Sequence, residues 1–550
     1  MLLAAACTSE SGSGGPAETA AGETAGGQTS AAETATVPAE TGANAQGETT
    51  AEPEVPEGPT LRLAIGPSVE TLDPASATDP AEGSILTAIL DPLVRLDQSG
   101  EAVPGLATSW EVSDDGRVVT FRLQPTGVWT NGDPVTAADF EYAWKRAAAP
   151  RFATQNAPLF FDIAGAEAYT RCDAESQDCA ALRERIGVVA LDDVTLEVTL
   201  RRPMPWFPQR AAHWGFLPVH EPTIAQYKRR WSLPENIVSN GPFELFAWNP
   251  GSSVTLERWD EWRDAGSVDL AVVEGSMTSD PSAALVDFQD GRVDACLPMQ
   301  CITPQTEREL AAAPEFAAYP APVTTYLAIG TRAIEDLRVR RAIAIGLDRR
   351  ALVARAAPGV TTPATGLVPV GLPGFDTPEQ EFLEAGPQRG KARRLVRKAK
   401  ASGPYVLAFS RGEKELAALL QTQLGKIGLT VEVERRQPER LAQADLYLAS
   451  ANARDAVALD VLERWTCAAG AYCDPAYDRL ARKARTTVDA MEREALEREL
   501  EAELTGPKGA FPAAPLFWGT YGLLRNVDVD GLEPNALALV DLGLVSTPDQ

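Results

Sequence analysis

The spacing of apolar residues predicts strands and helices from Thr60 to the end of the chain. Leu61, Leu63 and Ile65 alternate with polar or small residues, which is typical of a strand with one buried face. The same reasoning predicts further strands over 118–123, 195–200, 405–410, 429–433 and 445–449. No repeat of solenoid length is present.

Helical spacing appears between these strands. Residues 413–427 carry leucines every three or four positions, and Gly428 ends that helix. Thr136 and Asp139 form the capping-box pattern that begins another helix. A charged amphipathic pattern then predicts one long helix over 474–504. Helices alternating with strands predict an α/β fold, in which a sheet is covered by helices.

The amino-terminal region has a different composition. Residues 8–58 contain nine glutamates but no aromatic residue, lysine or arginine. Such a segment cannot bury enough apolar surface to offset its conformational entropy, so we predict a disordered acidic tether over 8–59. Its root-mean-square reach is roughly 40 Å. Residues 1–7 are small and apolar and end at Cys7.

Composition excludes several classes of function. The chain has 77 acidic and 50 basic side chains and a formal net charge of −27, which disfavours nucleic-acid binding. With only two histidines, His213 and His220, a histidine-rich metal site is impossible, and we expect no metal and no cofactor. The nucleophile elbow and the P-loop are absent from the sequence, as is any apolar run of transmembrane length.

Six cysteines remain after Cys7, and they fall into three close pairs. Six cysteines allow 15 connectivities, but local pairing is the simplest and would staple three loops in an oxidising compartment. A zinc site would need four ligands brought together, and the spacings are not C-x2-C. We therefore predict export and three local disulfides, Cys172–Cys179, Cys296–Cys301 and Cys467–Cys473.

A series of short motifs along the chain resembles the family 5 extracytoplasmic solute-binding proteins of ABC importers. The motifs occur in that family's order, and the segment 231–243 is similar to the oligopeptide-binding branch. They are Thr71-Leu-Asp-Pro74 and the segments 104–116, 129–144, 191–198, 336–349 and 471–478.

The resemblance implies a two-lobed clamp of the periplasmic-binding-protein type with an additional small domain. Peptide would lie extended between the lobes, and the protein would deliver it to membrane permease subunits as a monomer, without acting as an enzyme. The implied segments are 60–92, 204–278 and 515–550 for the first lobe, 93–203 for the additional domain and 279–514 for the second lobe.

The start of the chain resembles the end of a bacterial lipoprotein signal. That resemblance implies lipidation of Cys7 and anchoring to the outer face of the cytoplasmic membrane, with the lipid as the sole membrane contact. The basic and most of the apolar part of such a signal are missing, so we expect the true translation start to lie upstream. The alternative is a short, unprocessed cytosolic terminus.

The resemblance also suggests ligand-binding residues. Asp455, in the loop after strand 445–449, matches the aspartate that pairs with the ligand's α-amino group, and Ala453 lies beside it. Thr78 and Asp79 match a first-lobe segment that lines the peptide. The alternatives are a helix cap for Asp455 and a plain surface turn for Thr78 and Asp79.

Asn452 stands where the family commonly has tryptophan. This departure leaves open another solute for the same fold, namely a dipeptide, an oligosaccharide or a metal chelate. An exported hydrolase that uses two carboxylates is the competing class.

Overall fold

The computed structural model describes residues 58–547, except 154, 175, 298–299, 304–305, 307–308, 357–360, 376–381 and 471. Cys7 and the predicted tether up to residue 57 lie outside the described residues.

The strands run through the whole described chain. In chain order they are β1 (Thr60–Ala64), β2 (Val94–Leu96), β3 (Ala102–Pro104), β4 (Ala107–Val112), β5 (Val118–Leu123), β6 (Val188–Asp192), β7 (Thr195–Thr199), β8 (Phe243–Asn249), β9 (Ser253–Arg258), β10 (Val272–Ser276), β11 (Ala295–Cys296), β12 (Phe316–Ile329), β13 (Thr361–Pro363), β14 (Tyr405–Phe409), β15 (Val431–Arg435), β16 (Leu446–Asn452) and β17 (Ala513–Arg525).

The helices fall mostly between strands, as the α/β pattern predicts. In chain order they are α1 (Pro80–Ile89), α2 (Ala137–Ala147), α3 (Ala166–Thr170), α4 (Gln177–Glu184), α5 (Phe207–Ala211), α6 (Glu221–Tyr227), α7 (Pro281–Gln289), α8 (Leu337–Gly346), α9 (Arg349–Ala356), α10 (Arg389–Ala399), α11 (Lys414–Gly425), α12 (Leu459–Leu462), α13 (Pro475–Thr486) and α14 (Ala490–Thr505).

One large mixed sheet organises the fold. Its strand order is β15-β14-β16-β12-β17-β11-β1-β10-β9-β8, and β13 pairs with β17 beside this path. The long strands β12 and β17 are antiparallel and join the two halves of the sheet, with a register irregularity between Pro320 and Thr324. One half is β1 with β8 to β11, and the other is β14 to β16.

Two small sheets lie apart from the large one. They are the pair β2-β3 and the four-stranded β4-β5-β7-β6, and all of their residues fall within the predicted additional domain 93–203. The domain boundaries themselves stay a prediction. Trp144 on α2 packs edge-on against Phe207 and Phe216, which ties this part of the chain to α5.

The local predictions are largely confirmed, with one correction. The capping box of Thr136 and Asp139 begins α2, and all three predicted local disulfides are formed. The prediction of one helix over 474–504 is wrong, because the chain leaves the helical conformation after Thr486 and begins again at Ala490. The Asp489 carboxylate accepts the Glu492 N–H and caps the second helix.

Within the described residues, no helix has both the length and the apolar character needed to span a bilayer.

Candidate functional site

The predicted ligand-binding loops meet at one short segment, residues 207–216. This segment consists of α5 and a following 3₁₀ turn, Trp214–Phe216. Phe207 and Phe216 fix it against Trp144 in a buried aromatic cluster. Its remaining contacts reach the loop that contains Asp455 and the loop that contains Thr78.

Asp455 forms a buried ion pair with Arg210 of α5. The Arg210 Nε donates to Oδ1 of Asp455 at 2.8 Å, and Nη2 donates to Oδ2 at 2.5 Å. The two side chains are only 5 % and 3 % exposed. Arg210 Nη1 donates to Asp162 Oδ2 at 2.7 Å and to the Leu159 carbonyl at 3.4 Å. A paired, bidentate geometry of this kind is among the strongest hydrogen-bonded arrangements of side chains.

The backbone of the Asp455 loop is equally engaged. The N–H of Ala453 donates to the Pro322 carbonyl at 2.8 Å, and the N–H of Asp455 donates to Asp460 Oδ2 at 2.8 Å. Ala456 has a positive φ of 57°, which is uncommon for a residue other than glycine. The following helix α12 begins only at Leu459, so the alternative that Asp455 caps a helix over 456–459 is wrong.

Burial and charge shift three pKa values around Arg210. Burial and the neighbouring Asp455 carboxylate raise the pKa of Asp460 to about 7. Burial, together with the positive charge of Arg210, lowers the pKa of His213 to about 3, so this imidazole is neutral. Burial opposes ionisation of Asp162, but the hydrogen bond from Arg202 and the nearby arginines lower its pKa to about 2.

Thr78 and Asp79 are exposed at the end of the loop before α1. The Asp79 carboxylate accepts the Ala81 N–H at 2.8 Å and caps that helix. The Thr78 N–H donates to Glu82 at 2.9 Å, so it is already used within the protein. A local structural role is therefore established for both residues, and contact with a ligand stays a prediction.

The same loop is fastened to the 207–216 segment. The indole Nε1 of Trp214 donates to the Ala77 carbonyl at 2.8 Å, and Asn156 donates to the carbonyls of Pro74 and Ala77, each at 2.7 Å. His213 stacks on Trp214 with ring centroids 3.8 Å apart. One segment thus links the Thr78 loop, through Trp214, to the Asp455 loop, through Arg210.

Comparison with known proteins identifies the family. The model of the bacterial extracellular solute-binding proteins, family 5 Middle, matches residues 101–472. The chain belongs to this family. It is therefore a solute-binding protein and not an enzyme, and it acts outside the cytoplasm, as the sequence motifs predicted.

Two characterised bacterial proteins resemble the chain over different lengths. The oligopeptide-binding protein OppA of Bacillus subtilis is 30 % identical over 349 residues, which is 62 % of this chain and 62 % of that protein. The dipeptide-binding protein DppE of the same organism is 27 % identical over 498 residues, 86 % of this chain and 89 % of that protein. The first match thus spans less than two thirds of its relative.

A solved structure confirms the fold class. The unliganded open form of the periplasmic murein tripeptide-binding protein MppA superposes with a TM-score of 0.79 at 24 % identity, covering 90 % of this chain and 98 % of that one. Among the described residues of the family 5 chain, no cluster of three or more His, Cys, Asp or Glu side chains is placed to bind a metal ion.

The residues that position the predicted loops, Arg210 and Glu82 among them, were not predicted from the sequence. Arg210 is a charged residue within the apolar run 204–219, and that contrast was the available signal. Glu82 accepts four backbone N–H groups of the Thr78 loop, but its sequence signal is only the capping pattern that it forms with Asp79.

Proposed function

We propose that this chain is the substrate-binding lipoprotein of an ABC importer and that it captures extracellular peptides. The observation that carries the proposal is the match along most of the chain to a relative named for dipeptide binding, together with a shorter match to one named for oligopeptide binding. Membership of family 5 supports solute capture in general, and these relatives favour peptides as the solute.

The cleft is proposed between the predicted first lobe (60–92, 204–278 and 515–550) and second lobe (279–514). The Thr78 loop and α5 belong to the first lobe, and the Asp455 loop belongs to the second. Their convergence on residues 207–216 supports a ligand site at this junction. An extended peptide would gain affinity through its main chain, which explains how side chains of many kinds are tolerated.

Closure of the cleft is proposed to turn about β12 and β17. These are the strands that connect the two halves of the large sheet, so a change in their twist moves one half against the other. Delivery to permease subunits follows closure. Lipidation of Cys7 and the acidic tether would keep the protein at the outer face of the cytoplasmic membrane.

The full chain tests the ligand class directly. A pool of tri- to pentapeptides is expected to raise the melting temperature, because a ligand at a hundredfold excess over its Kd stabilises the folded state by about 2.7 kcal/mol. The bound peptide is recovered, and its mass is measured by mass spectrometry to show whether it is intact. A shift with dipeptides alone, with maltotriose or with a metal chelate would redirect the assignment to that solute, and cleaved peptide would indicate a hydrolase.

The anchor is tested separately. The chain is expressed in a bacterium behind a complete lipoprotein leader, as wild type and as Cys7→Ser, with labelled palmitate in the medium. We expect label and membrane association in the wild type, and neither in the variant. Membrane association that survives the substitution would contradict the lipid anchor without affecting ligand binding.

A further inference from the structure

The carboxylate that would receive a peptide's α-amino group already has a cation bound to it. Both oxygens of Asp455 accept hydrogen bonds from Arg210, and the pair is buried. An α-ammonium group would need the same two oxygens. It would have to displace a guanidinium that is bidentate and fixed at its other edge by Asp162 and the Leu159 carbonyl.

The charged groups around Arg210 are nearly balanced in sign, which leaves little net negative charge to attract a further cation. Asp162 is shared with Arg201 and Arg202, whose Nε atoms lie 3.4 and 2.6 Å from its Oδ1. Three guanidinium groups thus surround Asp162 and Asp455, and the buried Asp460, whose Oδ2 accepts the Asp455 N–H, adds a third carboxyl group whose raised pKa of about 7 keeps it partly protonated near neutrality. The wider cluster adds one carboxylate and one guanidinium, Glu463 and Arg485.

Arg210 is also held in place without any help from a ligand. Its helix is fixed by the aromatic cluster around Trp144, and four hydrogen bonds orient the guanidinium. Removing one partner of a buried ion pair leaves the other charge uncompensated, which makes displacement of Arg210 by an incoming amine unfavourable.

We propose that Arg210 occupies the α-ammonium position on Asp455, so that this protein selects peptides whose amino terminus is uncharged, such as N-acylated peptides. The proposal rests on the peptide function and on the assignment of Asp455 to the amino-terminal end of the ligand. Specificity then comes from a built-in competitor, which penalises the wrong ligand instead of adding a contact to the right one.

The experiment compares each peptide that binds with its N-acetylated twin. Titration calorimetry on the full chain gives both Kd values, and their ratio is the readout. In the wild type the acetylated twin is expected to bind at least as tightly as the free-amine twin. In Arg210→Met the free-amine twin should gain at least tenfold over the acetylated one, because Asp455 is released for the amine.

A second substitution separates specificity from general damage. In the double variant Arg210→Met/Asp455→Asn, the free-amine twin should lose its gain in affinity over the acetylated twin, since residue 455 no longer has a carboxylate. Arg338→Met is the control, because Arg338 of α8 forms an exposed bidentate pair with Asp336, the residue before that helix, and it should leave the ratio unchanged. If Arg210→Met does not fold, the wild type is compared with Asp455→Asn instead. The ratio of the free-amine Kd to the acetylated Kd should then agree within threefold between these two proteins.

The results that would overturn the role of Arg210 differ from the result that would overturn peptide binding itself. A wild type that binds free-amine peptides tenfold better than their acetylated twins, with the preference lost in Asp455→Asn, would overturn the role of Arg210 and leave peptide capture intact. An unchanged ratio in a folded Arg210→Met would also overturn it. If neither twin binds the wild type, the peptide function fails and this inference fails with it.

Discussion

Glu82 shapes the loop that precedes α1. Its carboxylate is 4 % exposed and accepts the N–H groups of Glu70 and Thr71 on one oxygen and of Thr78 and Asp79 on the other. A single side chain therefore replaces the strand or helix partners that these four amides lack. The position of Thr78, a predicted ligand contact, depends on it.

We predict that Glu82→Gln destabilises the protein by about 2–3 kcal/mol, because an amide presents N–H groups to amides that need an acceptor. Urea unfolding of the full chain measures the loss. Glu70→Gln is the control, since that side chain is exposed in the same loop. Equal unfolding midpoints for the two variants would show that the four contacts contribute little.

Residue contacts were predictable only where they are local. The capping pair Thr136 and Asp139 is three positions apart, so its pattern is visible in the sequence and the structure confirms it. Arg210 and Asp455 are 245 positions apart. Their pairing depends on the tertiary fold, and no spacing rule of helices or strands could indicate it.

At the scale of elements, the break between α13 and α14 shows what periodicity misses. The apolar spacing continues through 487–489, but Asp489 offers its carboxylate to the Glu492 N–H and favours a new helix start. The restart sets the direction of α14, whose Leu496, Leu500 and Leu504 are buried. The helix boundary thus coincides with a cap that the apolar spacing does not indicate.

We expect Asp489→Ala to lower the free energy of unfolding by about 1 kcal/mol, the usual loss for a helix cap. Asp489→Ser keeps an oxygen acceptor at the cap position and should recover most of that stability. Both are measured by urea unfolding at the same pH. If the alanine variant matches the wild type, the helix start at Ala490 is set by packing and not by the cap.

Strands and helices with a local pattern were predicted close to where the structure has them, but the pairing between strands was not predicted. The alternation in 60–65 predicted β1, and the structure has it at Thr60–Ala64. Nothing in those residues indicates that β1 pairs in parallel with β10, more than 200 positions later. The order of the strands in the large sheet was not predicted from the sequence, since periodicity specifies a strand and not its neighbours.

For the whole molecule, buried acids make stability depend on pH above neutrality. Burial and Asp455 raise the pKa of Asp460 to about 7, and burial with Glu494 nearby raises that of Glu497 to about 8, against the pull of Arg493. A raised carboxyl pKa means that the folded state binds more protons than the unfolded chain. The free energy of unfolding must then fall as pH rises toward these values.

The window from pH 6.5 to 8.5 isolates this effect. Neutral, buried His213 has a folded-state pKa of about 3, so it favours folding increasingly as pH rises, and only a small remainder of that gain, about 0.4 kcal/mol, falls above its ordinary value of 6.5. Asp162, with a pKa of about 2, changes the free energy of unfolding only in acid, well below this window. Asp460 and Glu497 therefore determine the sign in this window.

We predict that the free energy of unfolding decreases from pH 6.5 to 8.5, by at most about 1.4 kcal/mol per pH unit for each proton released. Glu497→Gln and Asp460→Asn mimic the protonated groups, so each should flatten the decline and exceed the wild type in stability at pH 8.5. Asp528→Asn, at an exposed site, should keep the wild-type slope. Urea unfolding across the window measures all four chains. A wild type whose stability is constant or rising here would mean that these two carboxyls are already ionised at pH 6.5, with Arg210 stabilising the Asp460 anion and Arg493 the Glu497 anion.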